Sequence, residues 1–236
     1  MTDRLRITKI NEYEEIAELS PEYIKDRNEK LYKIRLQHSG IPEKYWNLEL
    51  DMYQGTISIG SLNKVKTYIE KMDEEKFKHL NLFLTGKNST QKTLCATNIG
   101  KAFLKNGYRV KFVYAGELVD ILLKNQGFSY IKDIEEFIND LFLADLLIID
   151  DFADEEKSTY WKNNPQLIRT AWDNFLRRSI SENIRIVTTS NKSFDSIKDM
   201  LGESLFQLLY RNFEELMFFD EIGDYVKKLK FEDIWD

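Results

Sequence analysis

Hydrophobic and polar residues follow two rhythms along this chain, and the changes of rhythm mark its elements. Leu80–Thr85 is a short apolar run that reads as a strand, and a helix is expected from Lys92 to about Asn106, where Gly107 stops it. Tyr108–Tyr114 returns to a strand rhythm, with Val110, Phe112 and Tyr114 on one face. Glu117–Lys124 and Ile131–Phe142 read as amphipathic helices, and Leu146–Ile149 is a fully apolar strand with an acidic end. Pro165–Ser181 predicts a helix, Ile184–Thr188 a strand, and Met217–Phe219 a last short strand. Between them, Glu203–Leu216 reads as a helix with Leu205, Leu208, Leu209 and Leu216 on one face. Strands separated by helices of about ten or more residues pair in parallel, with helices on both faces of the sheet. Ligands of such sheets sit at the C-terminal strand ends.

The N-terminal rhythm differs. Residues 1–36 read as helical and highly charged, with apolar positions at Ile10, Tyr13, Ile16, Leu19, Tyr23, Leu31 and Ile34. Ser20-Pro21-Glu22-Tyr23 has the makings of a helix start: an N-cap serine, a proline in the first turn and an acid near the dipole. Ser39-Gly40-Ile41-Pro42 then punctuates the chain. The expected division is a helical N-terminal extension over residues 1–38 and an α/β domain over 39–236.

Composition narrows the function classes. With 236 residues, 42% hydrophobic and 31% charged, the chain has material for one sizeable globular domain. No run of about 18 apolar residues and no signal-peptide pattern occurs, so a cytoplasmic protein without a membrane span is expected. Cys95 is the only cysteine, and His38 and His79 are the only histidines. That excludes a disulfide framework and a Cys/His zinc module, and leaves Ser/His/Asp or Cys/His catalysis almost nothing to work with. Cys95 itself lies in an apolar stretch and reads as a packing residue. The net charge of −6 favours protein contacts over a dedicated nucleic-acid grip. It leaves room for a ring whose channel carries a few lysines.

The chemistry begins at Thr85-Gly86-Lys87-Asn88-Ser89-Thr90-Gln91-Lys92-Thr93, which follows an apolar strand and opens a helix. This is the layout of a phosphate-binding P-loop, in which backbone N–H groups and the helix dipole converge on anionic oxygens. Gly86 through Leu94 are therefore the candidate ATP-binding residues. Lys92 is expected at the β- and γ-phosphates and the Thr93 hydroxyl at Mg²⁺. Gln91 stands where the pattern has glycine, and Ser89 where a second glycine is common. Both positions visit φ > 0, which a non-glycine residue adopts at about 1 kcal/mol, so weakened binding is expected rather than none.

Asp145-Leu146-Leu147-Ile148-Ile149-Asp150-Asp151 ends an apolar strand in two carboxylates. Unpaired buried charge is costly, and a metal ion with a polarised water accounts for the pair. Asp150 is the candidate metal residue and Asp151 the candidate base, with Glu155 an alternative to share or replace it. The strand ending Thr188-Thr189-Ser190-Asn191 offers Asn191 as a donor to the γ-phosphate, though Ser-Asn is also a common turn dipeptide.

With these motifs in place, residues 40–220 resemble the DnaC/DnaI and IstB group of AAA+ ATPases. The likeness runs from Gly40-Ile41-Pro42-Glu43-Lys44-Tyr45 through Leu82-Phe83-Leu84-Thr85-Gly86, Lys92-Thr93-Leu94 and Asn106-Gly107-Tyr108-Arg109-Val110. It is closest at Leu147-Ile148-Ile149-Asp150-Asp151-Phe152-Ala153-Asp154-Glu155, similar to the Asp-Asp-x-Gly-x-Glu run of DnaI-like loaders, and continues at Thr188–Asn191. The resemblance implies an AAA+ core with a parallel sheet and little or no C-terminal lid, Tyr45 near the adenine, and an inserted helical segment between Gly116 and Phe142 facing single-stranded DNA. Lys124 and Lys132 there are candidate DNA contacts, although solvated helix charges are the weightier reading of them. Tyr210-Arg211-Asn212-Phe213 resembles the arginine-finger region, which implies a homo-oligomer with ATP between protomers.

Three departures stand out: the P-loop lacks its glycines, the second-sensor arginine is replaced by Lys227 or Lys228, and with one cysteine no zinc-binding N-terminal domain is expected in these residues. By analogy residues 1–36 are a helicase-binding arm. The leading reading is a loader, of phage or mobile-element type, that delivers a replicative helicase to single-stranded DNA with ATP hydrolysis at subunit interfaces. An IstB-type transposition helper, a nucleotide-binding scaffold without turnover and, last, a small-molecule kinase are the alternatives.

Overall fold

The computed structural model describes residues 5–9, 15–53, 58–125, 132–153 and 165–218. An antiparallel hairpin, β1 (Leu5–Lys9) and β2 (Glu15–Leu19), leads into α1 (Pro21–His38). Two short 3-10 turns, Glu43–Tyr45 and Leu50–Met52, carry the chain to α2 (Ile59–Glu70). The elements β3 (Asn81–Gly86), α3 (Lys92–Lys105), β4 (Val110–Tyr114), α4 (Ala115–Asn125), α5 (Lys132–Phe142) and β5 (Leu146–Asp150) follow. The chain continues through α6 (Pro165–Ser181), β6 (Arg185–Ser190), α7 (Phe194–Leu201), α8 (Glu203–Asn212) and β7 (Phe213–Phe218).

β3 to β7 form one parallel sheet in the order β4-β5-β6-β3-β7. Side chains of a strand alternate between faces, so each strand feeds two cores. Leu82, Leu84, Phe112, Ile148, Val187 and Leu216 pack with Val65 and Tyr68 of α2 and Ile99 and Phe103 of α3. Phe83, Val113, Leu147, Ile149 and Ile186 pack on the other side with Leu118 of α4, Trp172 of α6 and Leu209 of α8. The P-loop strand β3 and the acidic strand β5 are not neighbours. β6 lies between them, which places the end of β6 between the loop and the acids.

The N-terminal expectation needs correction: residues 5–9 and 15–19 are paired strands, and only Pro21–His38 is helical. The sequence of 5–9 alternates Leu-Arg-Ile-Thr-Lys, a period of two that outweighs the looser spacing from Ile10 to Leu19. The helix start stands as expected, with Tyr23 N–H donating to Ser20 Oγ at 3.2 Å. The segment Ser39–Pro42 runs along the sheet. Phe112 N–H donates to Ser39 O at 2.7 Å, so the lead-in segment covers the β4 edge. Gly40 has φ +80° there, and a Cβ would come within 2.6 Å of Phe112 O.

The helix expected over Glu203–Leu216 ends at Asn212, and the last strand begins at Phe213. Asn81 decides that boundary: its amide donates to Asn212 O at 3.0 Å and its oxygen accepts from Ile186 N–H at 2.8 Å. Leu216 is accordingly paired with Leu84 in the sheet. The expected absence of a lid and the second-sensor lysines Lys227 and Lys228 lie outside the described residues. No helix among the described residues is long and apolar enough to cross a membrane.

Tyr68 shows how polar atoms are fitted into this core. Its hydroxyl donates to Leu80 O at 3.0 Å while the ring stacks on Phe103. Burial raises the phenol well above its ordinary range, with Arg185 opposing. An unfolded tyrosine ionises near pH 10. The stabilising contribution is therefore complete below about pH 10 and is lost as pH rises beyond it. Melting curves at pH 8 and pH 11 should show a smaller alkaline decline for Tyr68→Phe than for the wild type; equal declines would contradict this account.

Candidate nucleotide site

β3 ends at Gly86, whose φ is +147° and where a Cβ would lie 2.0 Å from Phe218 O, so only glycine lets β7 approach there. The loop then turns through Lys87, Asn88 and Ser89, all exposed, and closes with Thr90 Oγ1 donating to Lys87 O at 2.9 Å. Ser89 and Gln91 have φ of +65° and +62°. The loop thus takes a left-handed conformation at both positions where glycine is usual. Each costs about 1–2 kcal/mol, the kind of strain that persists where the surrounding structure over-determines it.

Lys92 opens α3 and is the centre of the site. Its ammonium donates to Gly86 O at 2.7 Å, Lys87 O at 2.7 Å, Thr90 Oγ1 at 3.1 Å and Asn191 Oδ1 at 3.3 Å. Only 6% of Lys92 is exposed. Burial pulls its pKa down to about 8, against the smaller upward pull of Asp151 and Asp150. Leu94 points into the core behind the loop, and so does Cys95, whose thiol burial pushes up to about 12. Cys95 is a packing residue.

The acids come from the next strand but one. Asp150 is 3% exposed, and its Oδ1 accepts from Thr93 Oγ1 at 3.0 Å and from Thr189 Oγ1 at 2.6 Å. A hydroxyl and a carboxylate brought together at a phosphate loop are hard oxygen donors of the kind Mg²⁺ takes alongside nucleotide phosphates and water. No cluster of three or more His, Cys, Asp or Glu residues suited to a metal occurs among the described residues. Asp151 has φ +58° and donates its N–H to Thr189 Oγ1 at 3.0 Å.

Of the residues expected at the site, the structure brings Lys92, Thr93, Asp150, Asp151 and Asn191 to the C-terminal ends of β3, β5 and β6. Tyr45, in its 3-10 turn, stands at the acidic side of the loop. Its phenol is pushed up to about 12, chiefly by burial and then by the field of Asp150, with a Thr93 hydrogen bond opposing. Arg211 is not in the cluster. It is exposed at the end of α8, before the start of β7, while Gly86 pairs with the far end of that strand. Five strand steps separate those ends, about 17 Å, which exceeds the reach of one side chain. Glu155 lies outside the described residues. Thr189 carries no role in the motif pattern; its signal is a hydroxyl at the end of a strand next to one that finishes in paired acids.

The chain is similar to several known proteins. A family profile described as IstB-like ATP binding protein matches residues 67–209. The replicative helicase loader DnaC of Buchnera aphidicola subsp. Acyrthosiphon pisum (strain APS) is 30% identical over 193 residues, covering 80% of this chain and 74% of that protein. Among solved structures, the DnaC helicase loader superposes with a TM-score of 0.61 at 19% identity, over 75% of this chain and 99% of the other. The replication initiator DnaA bound to AMPPCP and single-stranded DNA gives a TM-score of 0.59 at 18% identity, over 81% of this chain and 57% of the other. The parallel sheet, the P-loop and these matches agree: the chain belongs to the IstB-like ATP-binding family and is a DnaC-type AAA+ protein.

Proposed function

We propose that this protein is a helicase loader that binds ATP with Mg²⁺, assembles with copies of itself, and delivers a replicative DNA helicase to single-stranded DNA. One observation carries the nucleotide part: a left-handed Gln91 and Ser89 keep the loop closed around Lys92 although its glycines are missing. The 30% identity to a protein named as a helicase loader supports the rest.

Bound ATP–Mg²⁺ supplies the transferable phosphoryl group and the charge that eases its departure. The chain's residues then divide the work. Gly86 to Leu94 cradle the phosphates, and the Lys92 ammonium offsets their charge. Thr93 and Asp150 would hold the metal. Asn191 gives its oxygen to Lys92, and its amide nitrogen would donate to the attacking water. Asp151, or Glu155, takes the proton of that water. Arg211 lies too far from its own loop and serves a neighbouring protomer, which makes hydrolysis depend on assembly. Residues 1–38 are the helicase-binding arm. Lys124 and Lys132 of the α4–α5 segment, both exposed, meet the DNA, and Lys132 is held at 3.5 Å by Glu136 until then.

The family profile gives an IstB-type transposition helper standing as a second reading. The two differ in partner. Size-exclusion chromatography with a hexameric replicative helicase should show a joint complex in ATP and Mg²⁺ that takes up single-stranded oligonucleotide. No complex, together with duplex binding that falls steeply with salt, would replace the loader by the transposition helper.

A further inference from the structure

Four hydrogen bonds tie the end of β6 to the turn that carries the two acids. Phe152 N–H donates to Thr189 O at 2.7 Å, and Ser190 Oγ donates to Phe152 O at 2.8 Å. The other two pass through a single atom. Thr189 Oγ1 lies 2.6 Å from Asp150 Oδ1 and 3.0 Å from the Asp151 nitrogen. The hydroxyl has one hydrogen, an ionised carboxylate only accepts, and an amide N–H only donates. Its orientation is therefore forced: it donates to Asp150 and accepts from Asp151.

We infer that Thr189 is a positioning residue for metal-linked nucleotide binding, holding the Asp150 carboxylate and the Asp151 backbone in one fixed relation. This rests on the nucleotide reading proposed above. Asp150 Oδ1 receives hydroxyls from both sides, Thr93 from the P-loop helix and Thr189 from β6, so that oxygen is anchored from one helix and one neighbouring strand. Asp151 sits in a left-handed conformation, φ +58°, and the hydrogen bond of its N–H to Thr189 is one of the contacts that hold it there. Two residues further along the same strand end, Asn191 accepts from Lys92. The metal residue, the base and the phosphate lysine are thus indexed to one another through Thr189 in β6 and Asn191 just after it.

The turn does not hang on this hydroxyl alone. The backbone bond to Phe152 and the Ser190 bond already hold the turn, and Thr189 is 1% exposed in a strand where valine fits with the same shape. Removing the hydroxyl therefore separates positioning from folding. Loss of a group that orients a metal ligand typically costs about 10- to 100-fold in metal affinity or activity.

The test measures ATP affinity by calorimetry in EDTA and across a Mg²⁺ titration, with hydrolysis followed in parallel. The proteins are wild type, Thr189→Val, Thr189→Ala and Thr189→Ser. Affinity in EDTA should agree within about twofold for all four, while valine and alanine raise the Mg²⁺ concentration for half-maximal binding about 10- to 100-fold and serine restores it. A valine variant that titrates with Mg²⁺ like the wild type overturns the inference. Loss of a melting transition in both valine and alanine variants also overturns it, because the turn would then depend on the hydroxyl. Wild type that binds no ATP in either condition removes the proposed function, and this inference with it. Wild type that binds but does not hydrolyse removes only the turnover, and the Mg²⁺ titration still decides the role of Thr189.

Discussion

Replacing Lys92 by alanine is expected to weaken ATP binding at least about 100-fold at pH 7, because hydrogen bonds from a charged group contribute about 1.5–3 kcal/mol each and two phosphates lose theirs. The alanine protein should also lose ligand-induced stabilisation. A nucleotide at 100 times its Kd stabilises a fold by about 2.7 kcal/mol, a shift that a thermal melt resolves easily. The pH of the measurement matters. Burial leaves Lys92 with a pKa of about 8 in the free protein, whereas phosphate oxygens favour the protonated amine. Above about pH 8 binding must therefore take up a proton, so wild-type affinity declines there with rising pH. Below that pH the lysine is already charged and affinity is level. Saturable binding that persists unchanged in Lys92→Ala would move the nucleotide away from this loop altogether.

The parts of the site that the sequence disclosed are those where one residue type answers one local demand. An apolar strand that ends in Asp150-Asp151 and a lysine-threonine pair at a helix start carry their chemistry in their spacing, and β3, α3 and β5 follow that spacing closely. Gln91 is more instructive. The pattern alone reads it as damage to the loop, yet the backbone there is left-handed as glycine would make it. The tertiary frame sets that conformation: Lys92 gathers the Gly86 and Lys87 carbonyls at the start of the loop, and Gly86 is pinned against β7. Side-chain identity changed while the backbone shape stayed.

What the sequence concealed was settled by contacts between distant residues. Helix α2 has apolar positions at Leu62, Val65 and Tyr68, but Gly60 sits in its first turn and Ser58 makes no side-chain cap, so the local signal is faint. The end of α8 was obscured because Leu216 continues the leucine spacing of the helix, and only Asn81 of β3 marks the switch to strand. Buried lysine Lys101 follows the same logic. Read as a surface residue of α3 it looks misplaced, but its ammonium reaches the carbonyls of Trp46 and Leu48 and, at 3.5 Å, Glu49. Together with Asn98, whose amide donates to Leu48 O at 3.1 Å, it fastens the lead-in segment to the P-loop helix. Tyr45 is brought to the acidic side of the site on that fastened segment.

Asp151→Asn should separate binding from turnover. The substitution keeps shape and tolerates the left-handed backbone, since asparagine and aspartate are the non-glycine residues most at ease there. The N–H that donates to Thr189 Oγ1 is backbone and survives the change. Asp150 and Thr93 are untouched, so affinity for ATP–Mg²⁺ should stay within a few-fold of wild type. Hydrolysis should fall by about 10²- to 10⁴-fold, the range that a positioned general base supplies. The measurement is single-turnover hydrolysis in the assembled state, because Arg211 acts only across a subunit boundary in this scheme. Glu155→Gln is the necessary companion. A rate that survives Asp151→Asn and collapses in Glu155→Gln transfers the proton-accepting role to the glutamate, one methylene longer and four residues on. If both variants bind ATP and hydrolyse it as slowly as an equally slow wild type, turnover is not what the site is for. The strained loop and paired acids then serve a switch that reads bound nucleotide through assembly alone.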